Sequence, residues 1–194
     1  NFGNNSDHFK NWLVFILIKI VKGGLKMSKK NKKSRIHKTL VEQILDKANI
    51  SYKQHVFPTH EEGDVAQLDV DHDDVDEHTI YKTLVLTGKE TGPLVGVVPL
   101  DEHLSYKKLA KVSGNKKVGM VPLKELLATT GYEHGANTPI GIWEKFKYPI
   151  YFDETAKKQG EIIVSSGQVG RSVAVQAEDI RKLVHGKFVD IKED

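Results

Sequence analysis

Two short apolar runs, IYKTLVLTG at 80–88 and PLVGVVPL at 93–100, stand on either side of a turn rich in glycine and proline. Runs of this length and composition read as paired inner strands. Everything else in the chain has to be arranged around such a pair. SYKKLAKVSG (105–114) and VPLKELLATTG (121–131) read as helices. The first is closed by Gly114, and the second has Pro122 in its first turn and Gly131 just past its end. KKVGM (116–120) between them reads as a short strand.

On the N-terminal side, SRIHKTLVEQILDKANI (34–50) opens on a serine suited to N-capping and repeats apolar residues every three or four positions. It predicts an amphipathic helix capped by Ser34 and ending near Asn49. SYKQHVF (51–57) reads as a strand, and the acidic stretch THEEGDVAQLDVDHDDVDEHT (59–79) as one short helix or a long loop. On the C-terminal side, YPIYFD (148–153) is a strand, and EIIVSSG and RSVAVQ form a hairpin around GQVG. AEDIRKLV (177–184) is a helix, and KFVDI (187–191) a closing strand. Helices and strands are mixed without regular alternation or repeats. That predicts a single α/β (α+β) domain on a mixed, curved sheet, not a doubly wound parallel one.

The chain contains no cysteine, which excludes disulfides, thiolate metal sites and an enzyme thiol nucleophile, and suits a reducing cytoplasm. The net charge of +3 is unevenly spread: every charged residue from Lys22 to Lys38 is basic, and every one from Glu61 to Glu77 acidic. The basic arm at 27–35 is either a solvated lead-in or a phosphate contact. The apolar run WLVFILIKIV (12–21), about ten residues long, is too short to span a bilayer and is interrupted by Lys19. VKGGLKM (21–27) back-translates to a purine-rich stretch resembling a ribosome-binding site ahead of a start codon. Met27 is therefore expected to be the biological start, with residues 1–26 a translated leader.

Lys82 lies at the mouth of an inner strand, between Ile80 and Leu84. An ammonium there either snorkels to water or meets an anion, because burying it alone is costly. Thr83 adds a hydroxyl. Asp153 ends a strand, where aspartate commonly caps the next helix. SSGQVGR (165–171) can cradle an anion with main-chain amides, although such a hairpin alone is weak as a signal. GYEHGANTPIG (131–141) concentrates glycines 131, 135 and 141 with Pro139 in one loop, more than a plain turn requires. His60, His72 and His78 match no standard metal-ligand spacing, and GxGxxG, Walker, HExxH and GxSxG motifs are absent, as is a visible serine triad.

YKTLV (81–85), GYEHGANTPIG with its GxxxP at Gly135–Pro139, the FD of YPIYFD, the SSG hairpin and the ending AEDIRKLVHGKFVDI occur in one order, and together they resemble the YbaK/EbsC family of prolyl-tRNA editing domains. The resemblance covers 36–191. It implies a barrel-like mixed sheet and a trans-editing enzyme that removes cysteine from mischarged Cys-tRNA(Pro) or Cys-tRNA(Cys), by hydrolysis or by a lyase-type step. The alternatives are a water-using deacylase for Ala-tRNA(Pro) and a non-catalytic tRNA-binding or regulatory protein. It implies Lys82, Gly135 and Asp153 as catalytic residues. It places Phe57, Thr83, Tyr132, Pro139, Gly141, Ser165, Ser166 and Gly167 around the substrate. Phe57 departs from a tyrosine common in the family. No metal or other cofactor is implied. The expected partners are the acceptor end of aminoacyl-tRNA and, in a tRNA-dependent complex, prolyl-tRNA synthetase, with no membrane.

Overall fold

The computed structural model describes residues 37–57, 59–62, 65–68 and 75–194. The leader and basic arm expected at 1–35 lie outside the described residues, and Lys38–Asp194 form one compact unit.

Helix α1 spans Leu40–Lys47. It starts later than the apolar periodicity suggests, because Thr39 and Glu42 form a capping box. Thr39 Oγ1 accepts from the Glu42 N–H at 3.2 Å, and Glu42 Oε2 accepts from the Thr39 N–H at 2.8 Å. Thr39 is thus the cap, not Ser34, which lies outside the described residues. Val41 and Leu45 are fully buried beneath the helix.

Strand β1 (Tyr52–Val56) follows, then β2 (Thr59–Glu62) and β3 (Val65–Leu68), which pair antiparallel. Among its described residues the acidic stretch holds a hairpin not expected of it and one short 3₁₀ helix at Glu77–Thr79. The two expected inner strands are β4 (Tyr81–Gly88) and β5 (Gly92–Pro99), antiparallel from Tyr81↔Pro99 to Gly88↔Gly92. After them come α2 (Tyr106–Ser113), β6 (Val118–Met120) and α3 (Leu123–Thr130). Gly114 and Gly131 close the two helices at φ 74° and 71°, a backbone conformation that favours glycine.

The stretch 131–141 is only partly a loop. Helix α4 (Pro139–Phe146) begins inside it, with Thr138 at the N-cap and Pro139 in the first turn, where its missing N–H costs nothing. Gly141 is therefore a helical residue. A Cβ there would lie 2.0 Å from the Tyr132 hydroxyl and 2.8 Å from Thr138 Cγ2. Gly141→Ala is expected to destabilise the fold by about 1–3 kcal/mol through overpacking, despite the better helix propensity of alanine. Denaturant unfolding measures this, and an unchanged midpoint would contradict it.

The remaining elements are β7 (Ile150–Asp153), α5 (Glu154–Gln159), β8 (Glu161–Gln168), β9 (Arg171–Gln176), α6 (Ala177–Leu183) and β10 (Lys187–Val189). The larger sheet has the order β10-β7-β5-β4-β6, with β5, β7 and β10 mutually parallel. The smaller antiparallel sheet is β1-β9-β8. Among the described residues the two are bridged at Ile80↔Ile163, a parallel bridge, so the architecture is mixed as expected without closing into one continuous barrel. β4 is buried on both faces. Tyr81 and Val85 join one core with Phe152 and Ile140, and Leu86 joins another with Leu94, Leu109 and Ile191.

Candidate active site

β6 pairs with β4 at Leu86–Gly88, and β8 is bridged to β4's lead-in at Ile80. Between these points one edge of β4 pairs with no strand among the described residues, and a cavity of about 650 Å³ opens there. Its floor is Tyr81–Val85, one wall is α3 with Val121, and the opposite wall carries Ser165 and Arg171–Ser172. His134, Gly135 and Asn137 overhang it. The main-chain orientation of β4 follows from two hydrogen bonds. The Leu100 N–H donates to the Ile80 carbonyl on the β5 side, and the Val121 N–H donates to the Val85 carbonyl on the other. Alternation along an antiparallel strand turns the N–H and C=O of Thr83 the same way as those of Val85, onto the cavity edge.

Lys82 stands at the mouth. Its Nζ donates to the Leu100 carbonyl at 2.9 Å, and among the described residues it forms no ion pair. Burial pushes its pKa below the ordinary lysine value, against the upward pull of the Asp101 and Glu102 carboxylates. An ammonium held by one neutral carbonyl, with its hydration reduced, is ready to accept an anionic partner.

Among the described residues, five buried side-chain polar atoms have no hydrogen-bond partner: Thr83 Oγ1, Tyr132 OH, Asn137 Oδ1, Thr138 Oγ1 and Ser166 Oγ. All five lie on the β4 edge, on the overhanging loop or on the bulged end of β8. Buried polar groups in native proteins are nearly always satisfied; of these five residues Thr83 and Asn137 line the cavity, where a bound polar group can partner them. Among the described residues no serine or threonine lining the cavity is bonded to a histidine, and no cluster of three or more acidic or histidine side chains could hold a metal ion. Nor is any helix among them long and apolar enough to cross a membrane.

A family model for the aminoacyl-tRNA editing domain matches residues 60–183. The chain belongs to the aminoacyl-tRNA editing family. It is also 39% identical over 160 residues to an Enterococcus faecalis protein named as a candidate Cys-tRNA(Pro)/Cys-tRNA(Cys) deacylase, EbsC; the match covers 82% of this chain and 96% of that one. Two solved structures share the fold. One, described as a candidate trans-editing enzyme for prolyl-tRNA synthetase, is 22% identical with a TM-score of 0.57 over 62% of this chain and 74% of its own. The other, a hypothetical protein, is 16% identical with a TM-score of 0.66 over 79% of this chain and 99% of its own.

In this editing domain the cavity brings together Lys82, Thr83, Gly135 and Ser165. Gly135, at φ 81°, occupies a conformation that a side chain would strain. Six of the residues expected around the substrate, and Asp153, are not in the cavity lining. Phe57 is buried with Ile80, Ile163 and Ala174. Tyr132 is a buried wedge beneath the loop, its ring fitted between Gly141 and Gly167 and its outer face under the Lys145 ammonium at 3.9 Å. Gly141 and Gly167 thus serve the close approach of Tyr132. Pro139 starts α4, and Ser166 lies at the β8 bulge.

Asp153 is fully buried and occupied by four donors. Its Oδ1 accepts from the Thr155 N–H at 3.0 Å and hydroxyl at 2.7 Å; its Oδ2 accepts from the N–H groups of Ile191 at 3.0 Å and Lys192 at 3.2 Å. The carboxylate caps α5 and ties the C-terminal segment to β7. It reaches the cavity only indirectly, since the Tyr81 hydroxyl donates to Thr155 Oγ1 at 3.0 Å. Asp153→Ala is expected to cost about 3 kcal/mol or more in urea unfolding, from the lost cap and two stranded amides. A stable but inactive Asp153→Ala variant would instead place the carboxylate in the reaction.

Sequence reasoning passed over Asn137, Tyr81 and Arg171. Asn137 stood in the quoted loop, and its side chain now supplies an unpartnered carbonyl oxygen. Arg171 Nη2 donates to Glu42 Oε1 at 2.9 Å, and Glu42 is 1% exposed, so this buried pair fastens α1 to the cavity wall.

Proposed function

We propose that this editing domain is a trans-acting deacylase that removes cysteine from Cys-tRNA(Pro) in the cytoplasm by a reaction in which the substrate thiol is the nucleophile. The observation that carries the reading is the cavity itself: a partly buried ammonium at its mouth, unpartnered Thr83 Oγ1 and Asn137 Oδ1 in its lining and, among the described residues, no lining serine or threonine bonded to a histidine. The candidate assignment of the Enterococcus relative supports the same substrate.

In this scheme Lys82 holds the phosphate or ribose of the terminal adenosine. The main chain at Gly135 and Thr83 faces the aminoacyl group and stabilises charge on the ester oxygen. Asp153 is a positioning residue acting through Thr155 on Tyr81. The cysteine sulfur bonds to its own carbonyl carbon, the ester C–O bond breaks, and the thiol proton passes in net terms to the departing ribose oxygen. The products are a cyclic thiolactone and deacylated tRNA. Because the site addresses the acceptor end, proline identity comes from a complex with prolyl-tRNA synthetase.

The test is a deacylation panel with Cys-, Ala- and Ser-tRNA(Pro) and Cys-tRNA(Cys). Preferential loss of cysteine supports the reading. Preferential loss of alanine replaces it with a water-using deacylase, and inertness on all four with a non-catalytic tRNA-binding protein.

A further inference from the structure

A second groove of about 520 Å³ adjoins the cavity, and the two share Lys82, Leu84 and Met120. Lys82 therefore stands on the ridge between them. Beyond the ridge the groove presents His103, Tyr106 and Glu193. Tyr106 is the first residue of α2 and is 48% exposed, so its ring is open to a partner. Glu193 is exposed and, among the described residues, takes part in no ion pair, while its main-chain N–H fixes the segment by donating to the His103 carbonyl at 2.8 Å.

We infer that this groove is the site for the nucleotide preceding the terminal adenosine of tRNA, with its base stacked on Tyr106 and its exocyclic amino group donating to Glu193. The inference rests on the deacylase reading, which puts the aminoacyl ester in the cavity. The chain then leaving the cavity is a nucleotide strand, and its next phosphate crosses the ridge at the Lys82 ammonium. A carboxylate beyond the ridge repels a second phosphate but accepts from a donor. Every tRNA ends in cytidine-cytidine-adenosine, and cytosine carries an N4 amino donor suited to a glutamate. An exposed aromatic ring gives the stacking face on which single-stranded bases bind.

The experiment compares the full chain with Tyr106→Ala, Tyr106→Phe and Glu193→Gln on three probes. These are Cys-tRNA(Pro), 3′-O-cysteinyl-adenosine, which lacks the preceding nucleotide, and an uncharged acceptor-stem minihelix for binding alone. Tyr106→Ala is expected to raise KM on the tRNA about tenfold with kcat unchanged. It should weaken minihelix binding similarly, leave cysteinyl-adenosine unaffected and melt like the parent. Tyr106→Phe keeps the ring and should match the parent. Changing the penultimate cytidine to uridine should weaken the parent but not Glu193→Gln, whose amide can donate to the uracil O4. Unchanged KM and minihelix binding in Tyr106→Ala, or an equal loss on cysteinyl-adenosine, overturns the inference. A parent chain that is inert on both esters yet binds the minihelix through Tyr106 overturns the deacylase reading and leaves the subsite standing.

Discussion

Lys82→Ala should reduce deacylation of Cys-tRNA(Pro) by about one to two orders of magnitude and leave the melting temperature near that of the parent. On the proposed reading the contact removed is a charge-assisted one to the terminal nucleotide, worth about 1.5–3 kcal/mol. Stability is spared for a specific reason. Among the described residues the ammonium is bound only to the Leu100 carbonyl, and burial already disfavours its charged form. Leu100 is itself partly exposed, so water can take the vacated position. The lowered pKa also sets a pH dependence. The ammonium contact is complete below that pKa and is lost as pH rises through it, so KM should climb on the alkaline side earlier than an ordinary lysine would allow. Lys82→Arg should flatten that limb, because a guanidinium stays charged, though its fork fits the mouth differently. A folded Lys82→Ala protein with parental kcat/KM would remove Lys82 from the site.

The parts of the fold legible in the sequence are those where one physical signal acts alone. The β4–β5 hairpin is two apolar runs around a turn, and Gly114 and Gly131 end helices because the left-handed backbone there suits glycine. Signals that compete were misread. Pro139 and Gly141 look like loop residues, yet one sits where a helix tolerates proline and the other clears space for Tyr132. The β2–β3 hairpin has little apolar alternation to reveal it, although the two residues between its strands, Gly63 and Asp64, are a known hairpin-turn pair. At the site, Lys82 and Gly135 could be read from local context, because their chemistry is unusual for their positions. Asp153 carried two readings, and its four donors come from residues as distant as Lys192. The Arg171–Glu42 pair joins residues 129 positions apart, and no window of sequence could show that.

Cys-tRNA(Pro) should be deacylated at least about a hundredfold faster than Ser-tRNA(Pro). Sulfur and oxygen differ little in size, and a cavity cannot strongly separate such close shapes by fit. They differ greatly as nucleophiles: a thiol is partly ionised near neutral pH and intrinsically reactive, whereas a hydroxyl needs a base. Among the described residues no serine or threonine lining this cavity is bonded to a histidine, so they show no triad to activate a hydroxyl or a water in the usual way. What it offers is confinement between β4, α3 and the Gly135 loop, with main-chain groups along one edge. Confinement suffices if the nucleophile arrives with the substrate, because a well-oriented intramolecular attack has an effective molarity on the order of 10⁵ M or more. Two controls separate this from recognition of the thiol by size. Cysteine alkylated on sulfur before assay should be inert. The product trapped from the normal reaction should be the thiolactone or its hydrolysis product, with no oxygen-18 from labelled water in the thiolactone itself. Equal rates on cysteine and serine esters, or turnover of the alkylated substrate, would mean that a bound water attacks and the sulfur serves only as a handle.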